Sequence, residues 1–457
     1  MKAIYYFLIF ALFCSCNNQN SDKQTTPCEF ETGKIIEKVI CKSDSTQSYT
    51  VYLPENYIND NSFPIVFCFD AHAGGVNAVE HFESAAEKYD YIIVASNNSK
   101  NNEPNTEYII ETFMQDVEDR ISFDKSRKYT AGFSGGGRIA TYIALKNSDI
   151  KGVASLSAGF SPVNYIPVNK FCFIGFFGNE DFNMYEIESS ETALKSINFD
   201  YHFEIFDGEH EWAPSEKIED ALLFFDLDAM RNNLKKKDKT FLKKVKTDFD
   251  SLINTEVGNP YNQYLLYLKG EKFLKDLTDF EDYTEAIKNI MLNEDFITQK
   301  TKISKIQSLE NQLQQQYYQY FAQKDTIWWK NEISVFKKSI AEEKDIDYKH
   351  LYKRLLNYLS MISFMQSNNS LSSGDLVNAE KYLKIYSLVD GDNTDMMYFY
   401  VCFYALKNKT DLALNYLDKA VKEGFADFEK LKTDPMLENL QSNQKFIEYL
   451  QSIYIIN

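Results

Sequence analysis

Lys128-Tyr129-Thr130-Ala131-Gly132-Phe133-Ser134-Gly135-Gly136-Gly137-Arg138-Ile139-Ala140 is the stretch on which the fold turns. Residues 127–133 read as a strand that runs straight into a glycine cluster, and residues 135–146 then read as a helix. Gly132-Phe133-Ser134-Gly135-Gly136 fits the pattern G-x-S-x-G. A serine on so sharp a strand-to-helix turn is held in a strained backbone conformation, so small residues must flank it. Its hydroxyl then stands clear of the sheet edge. The N–H of Gly135 is placed to bind a developing oxyanion, and the helix that starts there adds a favourable dipole. A glycine-rich turn without chemistry can carry the same letters. What separates the two is context, an apolar strand before the serine and a helix after it.

Working outward, residues 34–231 alternate strand and helix patterns. Strand signals fall at 48–53, 64–69, 91–95, 153–157, 171–177 and 202–206, and helical spacing occupies 106–120 and 217–230. Continuous apolar strands bounded by turns suit a mostly parallel sheet covered on both faces. The expected fold is therefore doubly wound α/β. The loops that follow the strands then line one edge of the sheet, where ligands bind in such folds.

A serine nucleophile needs a base, usually histidine, and the base needs an orienting carboxylate. Five histidines are present. His350 falls in the later helical region, on its surface; His202 starts a strand; His81 lies in the first helical region. His210 follows the last strand in Phe206-Asp207-Gly208-Glu209-His210-Glu211-Trp212 and is the expected base. Gly178-Asn179-Glu180-Asp181 follows the strand at 171–177, which makes Asp181 the first candidate acid and Glu180 the second. The second oxyanion donor should come from the loop after 64–69, Asp70-Ala71-His72-Ala73-Gly74-Gly75, and Ala71 N–H is the candidate. His72 either lines the pocket or is structural. Trp212 either flanks the pocket or packs in the core.

Tyr49-Thr50-Val51-Tyr52-Leu53-Pro54, Asp124-Lys125-Ser126-Arg127-Lys128-Tyr129, the Ser134 turn and Gly208-Glu209-His210-Glu211-Trp212 together resemble the esterase and polyhydroxybutyrate-depolymerase-like branch of the α/β-hydrolase superfamily. The resemblance covers under half the chain. It implies a secreted serine hydrolase acting on acyl esters, with Ser134 as nucleophile, Asp181 as orienting acid and His210 as base. Asp70-Ala71 stands where most of that family has His-Gly, and the elbow has three consecutive glycines, more than the motif requires. No long insertion is present to form an apolar lid, which disfavours long-chain fats.

Composition shifts near 231. Residues 235–457 show helical periodicity throughout and read as an all-helical domain of antiparallel pairs. Within 375–455, Asn378–Leu388, Asp395–Leu406 and Asp411–Lys422 read as helices, and Ala413, Tyr416, Leu417 and Ala420 supply the packing positions of a tetratricopeptide-like repeat. A generic helical bundle is the other reading. The domain is expected to bind a protein partner, or to brace or cover the α/β half.

At the other end, Lys2 precedes the apolar run 4–13, which is too short to span a membrane. Leu12-Phe13-Cys14-Ser15-Cys16 closes it, resembling a bacterial lipoprotein signal (residues 1–16) with lipid on Cys16. Residues 17–33 then form a tether. The expected location is the bacterial cell envelope, periplasmic or outer-membrane, with the lipid as the one membrane attachment. The net charge of −18, from 67 acidic and 49 basic residues, argues against a nucleic-acid surface. Of seven cysteines, two belong to the signal, and the odd remainder argues against a disulfide scaffold. Cys68 and Cys172 read as buried thiols; Cys28 and Cys41 either pair in an oxidising envelope or stay free. No cofactor motif and no metal-ligand spacing is evident, so neither is expected. The leading expectation is an ester hydrolase working through an acyl-enzyme. The alternatives are a serine peptidase of the same fold and a non-catalytic lipoprotein that binds through its helical domain.

Overall fold

The computed structural model describes residues 29–160, 167–425 and 427–456. The signal, Cys16, Cys28 and most of the tether lie outside them. Eight strands form one sheet in the order β1-β2-β4-β3-β5-β6-β7-β8. They are β1 (Ile35–Ile40), β2 (Ser48–Tyr52), β3 (Ile65–Phe69), β4 (Ile92–Ser96), β5 (Lys128–Phe133), β6 (Ile150–Leu156), β7 (Cys172–Gly178) and β8 (Tyr201–Phe206). β1 and β2 pair antiparallel at one edge, and β2 to β4 is also antiparallel. From β4 to β8 every pairing is parallel. The fold class is the expected one, a mostly parallel α/β sheet followed by a helix-rich region.

Period-two alternation divides the core. Val66 and Cys68 of β3 face one apolar layer, with α1 (Gly75–Tyr89) and α5 (Ser215–Arg231). Ile65, Phe67 and Phe69 face the other, with α2 (Thr106–Arg120), α3 (Gly135–Lys146) and α4 (Glu186–Ser196). Burial on both faces explains why these strands read as unbroken apolar runs. β1 escaped the sequence reading because it is an edge strand with mostly exposed or half-buried side chains, so no apolar pattern marks it. Cys68, Cys172 and Cys41 are buried free thiols, and burial pushes the Cys41 thiol up to about 11.

The chain order of strands reverses about β3, whose neighbours are β4 on one side and β5 on the other. Such a switch point opens a crevice at the carboxyl ends of the strands. The loop after β3 and the Ser134 turn after β5 meet there.

Beyond α5 the described chain is helical: α6 (Lys239–Thr255), α7 (Pro260–Leu274), α8 (Glu281–Ile290), α9 (Glu294–Gln323), α10 (Thr326–Glu342), α11 (Ile346–Ser372), α12 (Leu376–Val389), α13 (Thr394–Leu406) and α14 (Thr410–Lys422), then shorter pieces and a last helix over Gln444–Ile456. Asp238, Asn259, Asn293, Asp325, Asp345 and Asn393 cap the helices that follow them by accepting N–H bonds. The change of composition near 231 is not a break in packing. Leu242, Val245, Phe249, Phe273 and Tyr283 of α6–α8 join the same apolar layer as α1 and α5. Two separate layers hold the rest, one centred on α9–α12 and one on α12–α14. No helix among the described residues is long and apolar enough to cross a membrane.

Candidate active site

Ser134 caps α3 with φ +53° and ψ −117°, a region that L-residues rarely occupy. Close approach enforces the turn. A Cβ on Gly132 would lie 2.3 Å from the Gly136 carbonyl carbon, and one on Gly136 would lie 2.1 Å from the Phe69 carbonyl oxygen. Gly136, the closing glycine of the motif, is thus required by the packing of α3 against the end of β3. The obstructing atom belongs to the backbone, so no rotamer relieves it. Gly136→Ala should cost ~1–3 kcal/mol by overpacking and lower the melting midpoint by roughly 2–10 °C, measured by thermal denaturation.

The other groups come from neighbouring strand ends. β7 and β8 pair with Gly178 opposite Phe206, so Asp181 and His210 leave adjacent strands three and four residues further on. His210 Nε2 lies 2.9 Å from Ser134 Oγ, and His210 Nδ1 lies 2.8 Å from Asp181 Oδ1. An ionised carboxylate only accepts, so Nδ1 carries the proton and Nε2 is free to accept from the serine hydroxyl. Asp181 is 0% exposed, and Asn183 N–H donates to the same Oδ1 at 2.8 Å. Phe182 stacks on the imidazole at 4.2 Å between ring centroids, and Phe133 lies at 5.0 Å on a tilt. Glu180, the second candidate acid, turns the other way and pairs with Lys353.

The loop expected to carry the second oxyanion donor follows β3. Phe69 pairs with Gly132, so Ala71 sits across from Ser134, each two residues past its strand partner. Gly135 is the first residue of α3, where helix geometry leaves an N–H without an intrahelical acceptor. Asp70 shapes the loop. Its Oδ1 accepts from His72 N–H at 2.7 Å and Gly74 N–H at 3.1 Å, and its Oδ2 accepts from Trp212 Nε1–H at 2.9 Å. Asn101 N–H closes the loop from above by donating to the Ala71 carbonyl at 2.9 Å. The Asp70-Ala71 sequence, unlike His-Gly, therefore holds its loop with a buried carboxylate. An Asp that accepts N–H bonds two and four residues on is a local signal that sequence reading could have used.

Trp212 is only 8% exposed, packed beside His81 and Phe133 and tied to Asp70. It is buried in the core layer, and its bond to Asp70 ties it to the loop after β3. His72 keeps 78% of its side chain in solvent and lies at the outer face of that loop. Asp70→Asn would set an amide N–H₂ against the indole N–H or the loop N–H groups. The expected result is a fall in kcat of about tenfold with little change in KM, less than the ~10²–10³ that outright loss of an oxyanion donor costs, measured by steady-state kinetics.

His350 is not the surface residue expected. Its Nε2 lies 3.7 Å from Glu180 Oε1, and burial lowers its pKa. Glu209, beside the base, is raised by burial and then by the Glu180 charge. Among the described residues no group of His, Cys, Asp and Glu could hold a metal ion.

No family model matches the chain, and no curated protein matches it. Solved structures do. The fluorophosphonate-binding serine hydrolase F of Staphylococcus aureus, substrate bound, aligns at 17% identity over 42% of this chain and 98% of its own, with a TM-score of 0.36. A ferulic acid esterase aligns at 19% identity over 43% and 98%, TM-score 0.35. Esterase B of Lactobacillus rhamnosis aligns at 13% identity over 45% and 90%, TM-score 0.37. The matched share in each case is under half of this chain.

Proposed function

We propose that this protein is a serine hydrolase of carboxylic esters. One observation carries the reading: His210 bridges Ser134 and Asp181 at 2.9 and 2.8 Å, with the serine on a strained strand-to-helix turn. In the reaction, His210 Nε2 takes the Ser134 proton as Oγ attacks the ester carbonyl. Gly135 and Ala71 N–H groups hold the oxyanion. The imidazolium then protonates the leaving alcohol, and water activated by the same nitrogen releases the acyl group from Ser134. The buried Asp181 carboxylate keeps the imidazole in the required tautomer and stabilises its cation.

The reading extends to export, with Cys16 as the lipidated residue. Incorporation of radiolabelled palmitate that disappears in Cys16→Ser would support that part; equal incorporation in both would remove it.

Labelling with a fluorophosphonate probe tests the core proposal. The wild type should label stoichiometrically and Ser134→Ala should not. A folded wild type that fails to label would overturn the serine-hydrolase reading.

A further inference from the structure

The α/β half makes its catalytic loops, but it does not hold them alone. We propose that helix α11 positions the acid loop, so that the helical half is a working part of the active site. The inference rests on the serine-hydrolase reading for its consequence in catalysis, though the contact itself does not.

Three side chains of α11 reach the two residues immediately before Asp181. Arg354 Nη1–H donates to the Asn179 carbonyl at 2.6 Å. Asn357 Nδ2–H donates to the Glu180 carbonyl at 3.0 Å. Lys353 Nζ pairs with Glu180 Oε1 at 2.7 Å. Consecutive carbonyls of one loop are thus fixed by consecutive turns of one helix, about 175 positions away in sequence.

Arg354 is itself locked. Its guanidinium is bidentate to Glu310 of α9, with Nε at 2.9 Å from both oxygens and Nη2 at 2.7 Å, and both side chains are buried. A planar fork held in this way has one orientation and directs Nη1 at the loop. The pairing of α9 with α11 therefore sets where the Asn179 carbonyl sits.

The same loop is tied to the histidine. Glu180 N–H donates to the Gly208 carbonyl at 3.0 Å, and Asn179 N–H to the Phe206 carbonyl at 2.8 Å. Asn179 Nδ2–H donates to Asp207 Oδ1 at 3.0 Å, and Gly208 N–H returns a bond to Asn179 Oδ1 at 3.3 Å. Acid loop and base loop form one bonded unit, and α11 grips that unit from outside. A shift of α11 would displace Asp181 and His210 together relative to Ser134, which belongs to β5 and α3 and makes none of these bonds. Displacement of about 1 Å in a reacting group can cost ~10² in rate.

These are positioning residues, and the test must separate position from stability. Asn357→Ala with Lys353→Ala removes two of the grips; the buried Glu180 carboxylate then keeps only His350 Nε2, at 3.7 Å, beside it. Arg354→Met with Glu310→Leu removes the buried pair as a unit, avoiding an unpaired buried carboxylate. For both, kcat on a short acyl ester should fall about 10- to 10²-fold, with KM within twofold; the melting midpoint should hold in the Arg354/Glu310 variant and drop in the Lys353 one, which leaves Glu180 unpaired. Arg354→Lys should not rescue, because an ammonium cannot hold both Glu310 oxygens and the Asn179 carbonyl in a plane. A second readout is independent of turnover: the downfield proton signal of His210 Nδ1–H, assigned by its loss in His210→Ala. That signal should shift or broaden in the clamp variants. A folded Asn357→Ala/Lys353→Ala protein with wild-type kcat and an unmoved signal overturns the inference, even if the Arg354/Glu310 variant fails to fold. A signal that moves in the clamp variants, with a wild type that turns over no ester, would keep the clamp and remove the esterase reading.

Discussion

Ser134→Ala and His210→Ala, made singly or together, are each expected to lower kcat for ester hydrolysis by about 10⁶, the double variant falling no further than either single. The geometry requires this non-additivity. Ser134 Oγ meets His210 Nε2 at 2.9 Å, so the hydroxyl is a competent nucleophile only while the imidazole accepts its proton. A serine without the base is an ordinary alcohol, and the base without the serine has nothing to activate. What survives in every variant is the oxyanion loop on Gly135 and Ala71, which can still bind a developing charge when water attacks unaided, so activity should fall to a floor rather than to zero. Steady-state kinetics of the three variants on one short acyl ester checks it. Additive losses would show that Ser134 and His210 act separately and would sink the proposed mechanism.

The residues proposed for this site, which the fold brings together, carry local signals in the sequence. A strand, a serine between glycines and a helix occupy adjacent positions, and Asp181 and His210 each stand a few residues past an apolar strand. The parallel sheet was legible for the same reason: strands buried on both faces carry a continuous apolar pattern, as in Ile65–Phe69, where every residue is buried. β1 lacks that pattern and was missed. The choice between Glu180 and Asp181 was open in sequence because both are carboxylates at one strand end. It is decided by partners from elsewhere, Lys353 for Glu180 and His210 for Asp181. Trp212 is similar: a tryptophan two residues past the base suits a pocket wall until Asp70, 142 positions earlier, accepts its N–H. Arg354, Asn357 and Glu310 had no local signal at all. An arginine and a glutamate on different helices read as solvated charge, and only the packing of α11 on α9 and on the acid loop gives them a task. His350 was misplaced for that reason, since its helix turns toward the α/β half and not toward solvent.

Substitution of Asp181 should separate the orienting from the electrostatic part of its role. Asp181→Ala is expected to cost about 10⁴ in kcat, because His210 Nδ1–H then has no acceptor and the imidazole is free to rotate or change tautomer. Asp181→Asn should cost less. Oδ1 receives two N–H donors, from His210 Nδ1 and from the Asn183 backbone, whereas Oδ2 is buried without a partner among the described residues. An asparagine therefore places its carbonyl oxygen at the Oδ1 position, since the reverse would set an N–H₂ group against two donors, and its N–H₂ falls at the Oδ2 position. Both bonds and the tautomer are retained, and what is lost is the negative charge that steadies the imidazolium. That arrangement leaves a buried N–H₂ without an acceptor, a cost to stability of ~1–3 kcal/mol. The expected ordering is wild type, then Asn, then Ala in kcat, with Asn the less stable of the two than its activity suggests. Kinetics and thermal denaturation of the same preparations check both halves. Should Asn prove as inactive as Ala, the ordering fails: the negative charge, and not the acceptor at Oδ1, carries the role of Asp181.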